Sequence, residues 1–377
     1  MNSDYLYTFV SFLASLLTAI VAMPWLLRFC KKRGFYDIPN ERKLHHHKIP
    51  RLGGVVFVPS ALVGIIASLL LMSFLNPDLP SFHATTFVIM GGMFLIYLIG
   101  LLDDLFGLRA SFKFAIQFVA ALLMPFCGLY INNLYGFCGI YELPLWAAYP
   151  FTVLVSLLIV NSINLIDGID GLAAGLSLMA LCVFTALFGQ SLSLGYSLFS
   201  VALIAPLLVF LRYNLFGSVV RGTKTFMGDS GSLILGYTLA YLAIKYAMTD
   251  AEDAPRCADP LLTSYTLVLI PTFDLVRVAI GRLRRHVSIF HADKSHIHHK
   301  FLAAGFNMHQ TLAAILAVQV GFCLLNWGLH QIGVNTTVIV VADMLLFAIL
   351  QQALDLRIGR RTPIRPQITA RPENDAR

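Results

Sequence analysis

Carboxylates stand at the ends of several long apolar stretches in this chain of 377 residues. Asp103 and Asp104 follow one stretch directly, and Asp167 and Asp170 follow another. Acids at a bilayer boundary are costly to place there and are usually functional. Because carboxylate oxygens are hard ligands, Mg²⁺, with Mn²⁺ as the alternative, suits them better than zinc. These positions predict a metal-assisted site for a phosphorylated substrate beside the membrane.

The adjacent acids Asp103 and Asp104 can have different roles. Adjacent residues of a helix point about 100° apart, so the two carboxylates need not bind one ion together. One can face a metal or a nucleophile while the other holds a neighbouring base. Two solvated acids at a loop are the structural alternative.

The segment 161–171 carries the densest polar pattern of the chain. Asn161, Asn164, Asp167 and Asp170 recur at every third position, which puts neighbours on adjacent parts of one helix face. Two glycines in the same segment end the helix and let the backbone approach a ligand closely. The structural alternative is an amide-lined contact between helices, with Asp170 as the N-cap of the next helix.

A further acid, Asp229, lies in the segment 226–232 at the start of another apolar stretch. Backbone N–H groups at a helix N-terminus bind phosphate, and the acid can hold Mg²⁺ beside them. The GxxxxGK[ST] pattern of a nucleotide-binding P-loop is absent. An ordinary helix cap is the structural alternative.

Two groups of histidines accompany these acids. His296, His298 and His299 fall within four residues, but the spacings typical of zinc sites are absent. We interpret them as donors to phosphate or sugar, with a solvated basic loop as the alternative. The run that begins at His45 has the same two interpretations.

Two further acids lie inside apolar stretches. Asp274 precedes Arg277 by three residues, a spacing at which helical side chains pair, so we interpret it as structural. Asp343 lies in the middle of the last apolar stretch, and the sequence gives it no evident partner.

Composition identifies the elements that must position these residues. Hydrophobic types make up 58% of the chain and charged types 12%, with a mean hydropathy of +0.75. Soluble domains carry about 45–50% apolar and about 25% charged residues, so a soluble enzyme, a disordered chain and a secreted disulfide scaffold are excluded. The apolar runs are continuous rather than alternating, which favours helices over a membrane barrel. The predicted fold is an all-α, polytopic bundle of eleven transmembrane helices. The predicted spans are 5–27, 52–75, 84–102, 111–128, 145–166, 172–189, 194–213, 232–248, 260–281, 310–329 and 333–353.

Basic residues predict the orientation of this bundle. With eleven spans, all of the 27 lysines and arginines except Lys245 and Arg256 fall on one side, which predicts an outside N-terminus and a cytoplasmic C-terminus. No basic residue precedes the first stretch, which favours an anchor over a cleavable signal. The net charge of +7 is therefore a topology signal rather than a nucleic-acid footprint. We treat 1–356 as one membrane domain and 357–377 as a disordered basic tail.

Taken together, these motifs resemble the polyprenyl-phosphate N-acetylhexosamine-1-phosphate transferases, a family of glycosyltransferase family 4. The chain is most similar to their bacterial undecaprenyl-phosphate N-acetylglucosamine-1-phosphate branch, and the resemblance covers nearly all of 1–356. It rests on Arg42-Lys43-x-His45, Pro50-x-x-Gly53-Gly54, Leu102-Asp103-Asp104, the segment 164–171, Asn214, the segment 226–232 and His296-Ile297-His298-His299.

The resemblance implies transfer of sugar 1-phosphate from a UDP-N-acetylhexosamine to polyprenyl phosphate, with Mg²⁺ and release of UMP. It implies the plasma membrane of a bacterium, with the active site on the cytoplasmic face, and the first membrane step of an envelope polysaccharide. Membrane lipids and a second copy of the chain are the other expected partners, and nucleic acid is not expected.

The resemblance also assigns roles to residues. Asp229 and Asp167 become metal or phosphate-side acids, and Asp103 and Asp104 join Asp167 as catalytic residues. The remaining positions contact the uracil of the donor, its sugar and pyrophosphate, or the hydrogen-bond network around the metal. They are Asp170 and Phe226 for uracil, Asn164 and Asn214 for the network, His296, His298 and His299 for sugar and pyrophosphate, and His45 in the basic loop.

Three alternatives remain open. A muramoyl-pentapeptide phosphotransferase belongs to the same family but carries a different His-rich loop. An intramembrane prenyltransferase or CDP-alcohol phosphotransferase needs paired DxxxD-like clusters, which the acids here do not form. An ion-coupled transporter places its ionisable groups near the midplane, whereas these acids gather at one face.

Overall fold

The protein is a bundle of α-helices in the computed structural model, which describes residues 3–37, 48–75, 84–190, 194–248, 259–288 and 294–361. Within these ranges the helices are α1 (Ser3–Arg33), α2 (Phe57–Leu75), α3 (Ala84–Phe106), α4 (Ala110–Phe126), α5 (Leu145–Ile166), α6 (Leu172–Gln190), α7 (Leu194–Phe216), α8 (Asp229–Ala247), α9 (Pro260–Leu267), α10 (Leu269–Arg284), α11 (Ile297–Ala303), α12 (Met308–Gln331) and α13 (Thr336–Arg361). Two short antiparallel pairs of strands join them, β1 (Tyr36–Asp37) with β2 (Ile49–Pro50) and β3 (Asn133–Phe137) with β4 (Ile140–Glu142).

Eight of the described helices are long and apolar enough to cross a membrane. They are α1, α2 with the 3₁₀ turn before it, α3, α5, α6, α7, α12 and α13. The hydrocarbon of a bilayer offers no hydrogen-bond partners to backbone N–H and C=O groups. A helix pairs these groups within itself, so continuous apolar runs form helices. The chain is thus a polytopic membrane bundle. The three other predicted spans correspond to the shorter α4, to α8, and to α9 with α10.

Helix α8 is the centre of the bundle. It packs against α3, α5, α6 and α9, and all its residues from 230 to 247 other than Tyr241 and Lys245 are buried. A helix surrounded by protein does not need a lipid-facing apolar surface. This explains why α8 can carry serine, glycine, threonine and tyrosine.

The predicted span 260–281 is broken at Val268, which separates α9 from α10. A break frees backbone groups that must find partners inside the protein. The side chain of Gln319, on α12, supplies them: its Oε1 accepts from the Ile270 N–H at 3.1 Å, and its Nε2 donates to the Thr266 carbonyl at 2.7 Å. The amide therefore stabilises the interruption.

Asp343 has partners that the sequence does not reveal. Its Oδ2 accepts from the Tyr265 hydroxyl at 3.1 Å and from Asn326 Nδ2 at 2.8 Å, and the carboxylate is fully buried. The same Asn326 amide donates to Thr266 Oγ1 at 3.0 Å. Asp343 thus links α13 to α9 and α12.

The last helix, α13, continues to Arg361, into the segment predicted as a tail. The remainder of that segment, 362–377, lies outside the described residues, as do His45 and its neighbours at 38–47.

Cysteine labelling tests the orientation predicted for this bundle. Tyr141, on β4, is 66% exposed and is predicted outside, whereas Arg33, at the end of α1, is exposed and is predicted inside. In right-side-out vesicles, with the native cysteines changed to serine, we expect an impermeant maleimide to label Tyr141→Cys at once. Arg33→Cys should react only after permeabilisation. Immediate labelling of both positions would contradict the predicted number of spans between them.

Candidate active site

The start of α8 is held by Asp104, from the end of α3. One carboxylate oxygen of Asp104 accepts from the Asp229 N–H at 2.8 Å, and the other accepts from the Ser230 N–H at 2.9 Å and the Ser230 hydroxyl at 2.7 Å. A carboxylate at a helix N-terminus satisfies free N–H donors and faces the positive end of the dipole. Asp104, 5% exposed, therefore fixes the position of Asp229.

Residues 50–54 form backbone hydrogen bonds with the segment that precedes α8. The N–H groups of Gly53 and Gly54 donate to the carbonyls of Phe226 and Met227 at 2.9 and 2.8 Å, and the Phe226 N–H donates to the Pro50 carbonyl at 2.8 Å. A Cβ atom on Gly54 would lie 2.2 Å from the Cα of Gly231. The Pro-x-x-Gly-Gly motif is thus a backbone clamp on the 226–232 segment.

Lys113, in the first turn of α4, joins two acids of the site. Its ammonium lies 3.0 Å from an Asp103 oxygen and 2.6 Å from Asp229 Oδ2. The other Asp103 oxygen accepts from the Leu108 N–H at 2.7 Å, and Asp229 Oδ1 accepts from Asn164 Nδ2 at 3.2 Å. In the sequence, Lys113 is only one of the basic residues that indicate the cytoplasmic side. The available signal is a lysine at the start of the apolar helix that follows the Asp103–Asp104 pair.

The end of α5 brings the segment 161–171 to the same place. Asn164 donates to Asp229 and also to Ser232 Oγ at 2.8 Å, so α5 and the start of α8 share one polar contact. Asn161, one turn further into the bundle, donates instead to Gln117 Oε1 at 2.7 Å. The predicted row therefore divides into a site residue, Asn164, and a helix-packing residue, Asn161.

Asp167 lies just after α5, among other acids. Burial raises the pKa of its carboxyl to about 7, and three neighbouring carboxylates add to the effect. These neighbours are Asp229, Asp170 and Asp104. Asp167 and Asp229 are thus close enough for their charges to interact, and the site gathers more negative charge than its lysines balance.

Asp170 is held by Asn214 and Lys224. Asn214 Nδ2 donates to Asp170 Oδ1 at 3.1 Å and to the Thr225 carbonyl at 2.9 Å, while its Oδ1 accepts from the Gly171 N–H at 2.7 Å. Lys224 Nζ lies 2.6 Å from Asp170 Oδ2 and also donates to the Asn214 carbonyl. Asn214, buried at 3% exposure, therefore ties α7 to the 168–171 turn and to the segment that carries Phe226.

Asp274 fixes the histidine segment to α10. Its oxygens accept from Arg277 at 2.7 Å and from the Ile297 N–H at 3.0 Å, and its Oδ2 lies 2.8 Å from His296 Nδ1. The predicted pairing of Asp274 with Arg277 is confirmed. The carboxylate also orients His296, a role that the helical spacing alone does not indicate.

His298 brings the histidine segment into contact with the 167–171 turn. A Cβ atom on Gly168 would lie 2.1 Å from His298 Nε2, so the ring rests against the turn beside Asp167. Its ring centroid lies 4.3 Å from that of His299. Burial, and then the neighbouring His299 and His296, lower the pKa of His298 to about 3. His298 is therefore a neutral imidazole at pH 7.

Comparisons with known proteins agree with this architecture. The family model described as "Glycosyl transferase family 4" matches residues 86–247, which contain Asp103, Asp104, Asp167, Asp170 and Asp229. A Bacillus subtilis protein named "Probable undecaprenyl-phosphate N-acetylglucosaminyl 1-phosphate transferase" is 34% identical over 82% of this chain and 81% of its own length. The chain belongs to glycosyl transferase family 4.

Two other family-4 relatives widen the comparison. The undecaprenyl-phosphate alpha-N-acetylglucosaminyl 1-phosphate transferase of Escherichia coli K12 is 32% identical over 78% of this chain and 77% of its own length. The decaprenyl-phosphate N-acetylglucosaminephosphotransferase of Mycobacterium leprae is 33% identical over 75% and 73%. The names share one sugar and differ in the lipid.

Asp274→Asn tests how the histidine segment is held in this family-4 chain. Loss of one partner from a buried ion pair costs about 3–5 kcal/mol. Because Arg277 is 24% exposed, we expect destabilisation at the lower end of that range, together with a loss of turnover. Thermal unfolding in detergent and a turnover assay measure both. Glu142→Gln, an exposed acid on β4, is the control and should change neither. Unchanged stability of Asp274→Asn would remove the residue from this role.

The neutral state of His298 predicts acid sensitivity. Between its folded pKa of about 3 and an unfolded value of about 6.5, the unfolded chain binds a proton that the folded chain does not. Stability contributed by His298 is therefore lost as pH falls below about 6.5, by about 1.4 kcal/mol per unit. We expect the unfolding midpoint of His298→Gln to fall less steeply between pH 6.5 and 5 than that of the wild type. Parallel slopes would show that His298 is not held neutral.

Proposed function

We propose that this site transfers N-acetylglucosamine 1-phosphate from UDP-N-acetylglucosamine to a polyprenyl phosphate. The observation that carries the proposal is the convergence of five carboxylates from three membrane helices near the start of one central helix, in a chain of this family. These acids are Asp103, Asp104, Asp167, Asp170 and Asp229. The product is the first lipid-linked intermediate of an envelope polysaccharide.

The reaction is a displacement at phosphorus. An oxygen of the lipid phosphate forms a bond to the β-phosphorus of the UDP-sugar, and the bond from that phosphorus to the bridging oxygen breaks. The bridging oxygen leaves with UMP, and the lipid carries a pyrophosphate joined to the sugar. A phosphate monoester with a second pKa of about 6 is already largely ionised at neutral pH. The site therefore needs positioning and charge compensation more than a strong base.

The donor set fits a hard divalent cation. Among the described residues no three His, Cys, Asp or Glu side chains form a complete metal site. Mg²⁺ characteristically uses only one or two protein carboxylates and completes its shell with water and substrate phosphates. Asp229 and Asp167 would hold it, with Asn164 beside them, and Mn²⁺ would suit the same oxygens. When bound, such a cation neutralises charge on the pyrophosphate and aligns it for displacement.

The remaining acids and Lys113 organise the centre. Both oxygens of Asp104 are engaged by the start of α8, which supports a positioning role rather than contact with substrate. Asp103 shares Lys113 with Asp229, so it can orient an incoming phosphate and receive a residual proton. Lys113 holds these two carboxylates together and limits their repulsion.

The turn at 168–171 and the histidine segment border the centre and complete the substrate sites. Asp170 and Phe226 are placed on segments that Asn214 joins, which supports their assignment to uracil, with the phenyl ring stacking on the base. His296, His298 and His299 would face sugar and pyrophosphate. As a neutral ring, His298 can donate a hydrogen bond without adding a charge.

The proposal includes a place and an orientation. The acids lie at the ends of α3, α5 and α8 that face the basic segments, so the positive-inside rule puts the site at the cytoplasmic face of a bacterial plasma membrane. Eleven spans, counting α4, α8 and the broken α9–α10 pair, fit this arrangement with the N-terminus outside. His45 belongs to the basic segments on the same side.

A product assay tests the function. We expect the purified chain with Mg²⁺, UDP-N-acetylglucosamine and undecaprenyl phosphate to release UMP, and ³²P in the β-position of the donor to appear in the lipid. Release of UDP with unlabelled lipid would mean glycosyl transfer and would overturn the proposal. A parallel reaction with UDP-N-acetylgalactosamine tests the choice of sugar.

Asp229→Asn tests the site within that assay. The amide keeps the shape of the side chain but removes the charge that faces Lys113 and the cation, so we expect turnover to fall by at least about a hundredfold. Glu142→Gln, an acid on the distant strand β4, is the control and should keep full turnover. Near-normal turnover in a folded Asp229→Asn protein would remove Asp229 from the centre.

A further inference from the structure

A second cationic feature lies beside the site, at the end of α7. An open cavity of about 230 Å³ is lined by Arg212, Tyr213, Phe216, Arg221 and Thr223. The ammonium of Lys31, from the end of α1, lies against the same loop, since a Cβ atom on Gly222 would fall 2.1 Å from its Nζ. Two arginines therefore line the opening, and Lys31 lies against the loop that contributes Arg221.

These cations have no acidic partner in the described part of the chain. Arg212 lies over the ring of its neighbour Phe216, with its guanidinium carbon 5.9 Å from the ring centroid. Lys224, on the same loop, turns the other way and pairs with Asp170 inside the active site. Positive charge that is left uncompensated around a cavity attracts an anion.

The neighbours of the cavity are apolar and exposed. Phe216 is 70% exposed and Val220 is 99% exposed, and Val219 next to it is 39% exposed. Apolar residues next to arginines at the end of a membrane helix are typical of the interface, where the apolar parts enter lipid and the cations meet headgroups. A water-borne phosphate would leave these side chains in solvent, whereas a lipid would cover them.

We propose that this cavity binds the phosphate headgroup of an anionic phospholipid from the inner leaflet. Arg212 and Arg221 receive the phosphate, Lys31 adds charge from α1, and Phe216 and Val220 lie among the acyl chains. The site is separate from the catalytic acids and does not depend on the proposed reaction.

Lipid binding to the purified full chain tests this site. The probe is phosphatidylglycerol, with phosphatidylcholine as the zwitterionic comparison, and native mass spectrometry in detergent counts the lipids retained. We expect the wild type to retain phosphatidylglycerol selectively. The affinity of Arg212→Gln/Arg221→Gln should be about thirtyfold weaker, as expected for two basic residues near an anionic headgroup. Equal retention by this variant would overturn the proposal.

A matched variant separates local charge from total charge. Arg284→Gln/Arg360→Gln removes two exposed arginines elsewhere and should retain phosphatidylglycerol like the wild type. An equal loss of phosphatidylglycerol from this control variant would mean that only net charge matters, and it would contradict the proposed site. Should the first double variant unfold early, Arg221→Gln alone, in an exposed loop position, gives the same comparison.

Two competitors separate the sources of phosphate. Excess inorganic phosphate should leave phosphatidylglycerol bound, because it offers no acyl chains to Phe216 and Val220. Undecaprenyl phosphate should also fail to displace it at equal concentration. Displacement by either would assign the cavity to a free anion or to the acceptor substrate, and the phospholipid site would be wrong.

Discussion

A carboxylate from one membrane helix accepts hydrogen bonds from the first turn of another, and the candidate active site is arranged around these hydrogen bonds. Asp104 receives three hydrogen bonds from Asp229 and Ser230, so its buried charge is compensated in part by the start of α8. Removing a carboxylate from water costs several kcal/mol unless such bonds replace the solvent. The compensation fixes where α8 begins, and with it the direction in which Asp229 leaves the helix.

That arrangement demands unusually close backbone contact. Gly228 has a φ of 75°, and a side chain there would lie 2.5 Å from Asp104 Oδ2. On α3, a Cβ atom at Gly100 would lie 2.7 Å from the Asp229 carbonyl. Glycine at these two positions allows α3 to reach the start of α8 while Asp104 still meets the N–H groups. Gly228 and Gly100 thus help to hold Asp104 in place, in addition to any role in letting a ligand approach the backbone.

The sequence predicts the membrane helices and the acids at their ends because both follow from local rules: apolar length, and the cost of charge beside hydrocarbon. It does not predict the pairings. Lys113 meets Asp229 across 116 residues, and Asp343 meets Tyr265 across 78. Such contacts depend on how helices are arranged in space, which periodicity does not record. The break at Val268 is not predicted from the sequence either, because the side chain that satisfies its backbone groups, Gln319, lies on another helix.

Charge balance gives the acids a common explanation. Lys113 and Lys224 contact three of the five carboxylates, and Asp167, raised to a pKa of about 7, is only partly ionised at neutral pH. Two unit charges about 4 Å apart repel by about 4 kcal/mol at a protein surface. Two phosphate-bearing substrates brought to these acids would add to that repulsion. The carboxylates therefore need added positive charge when the substrates bind, and the neutral His298 does not supply it.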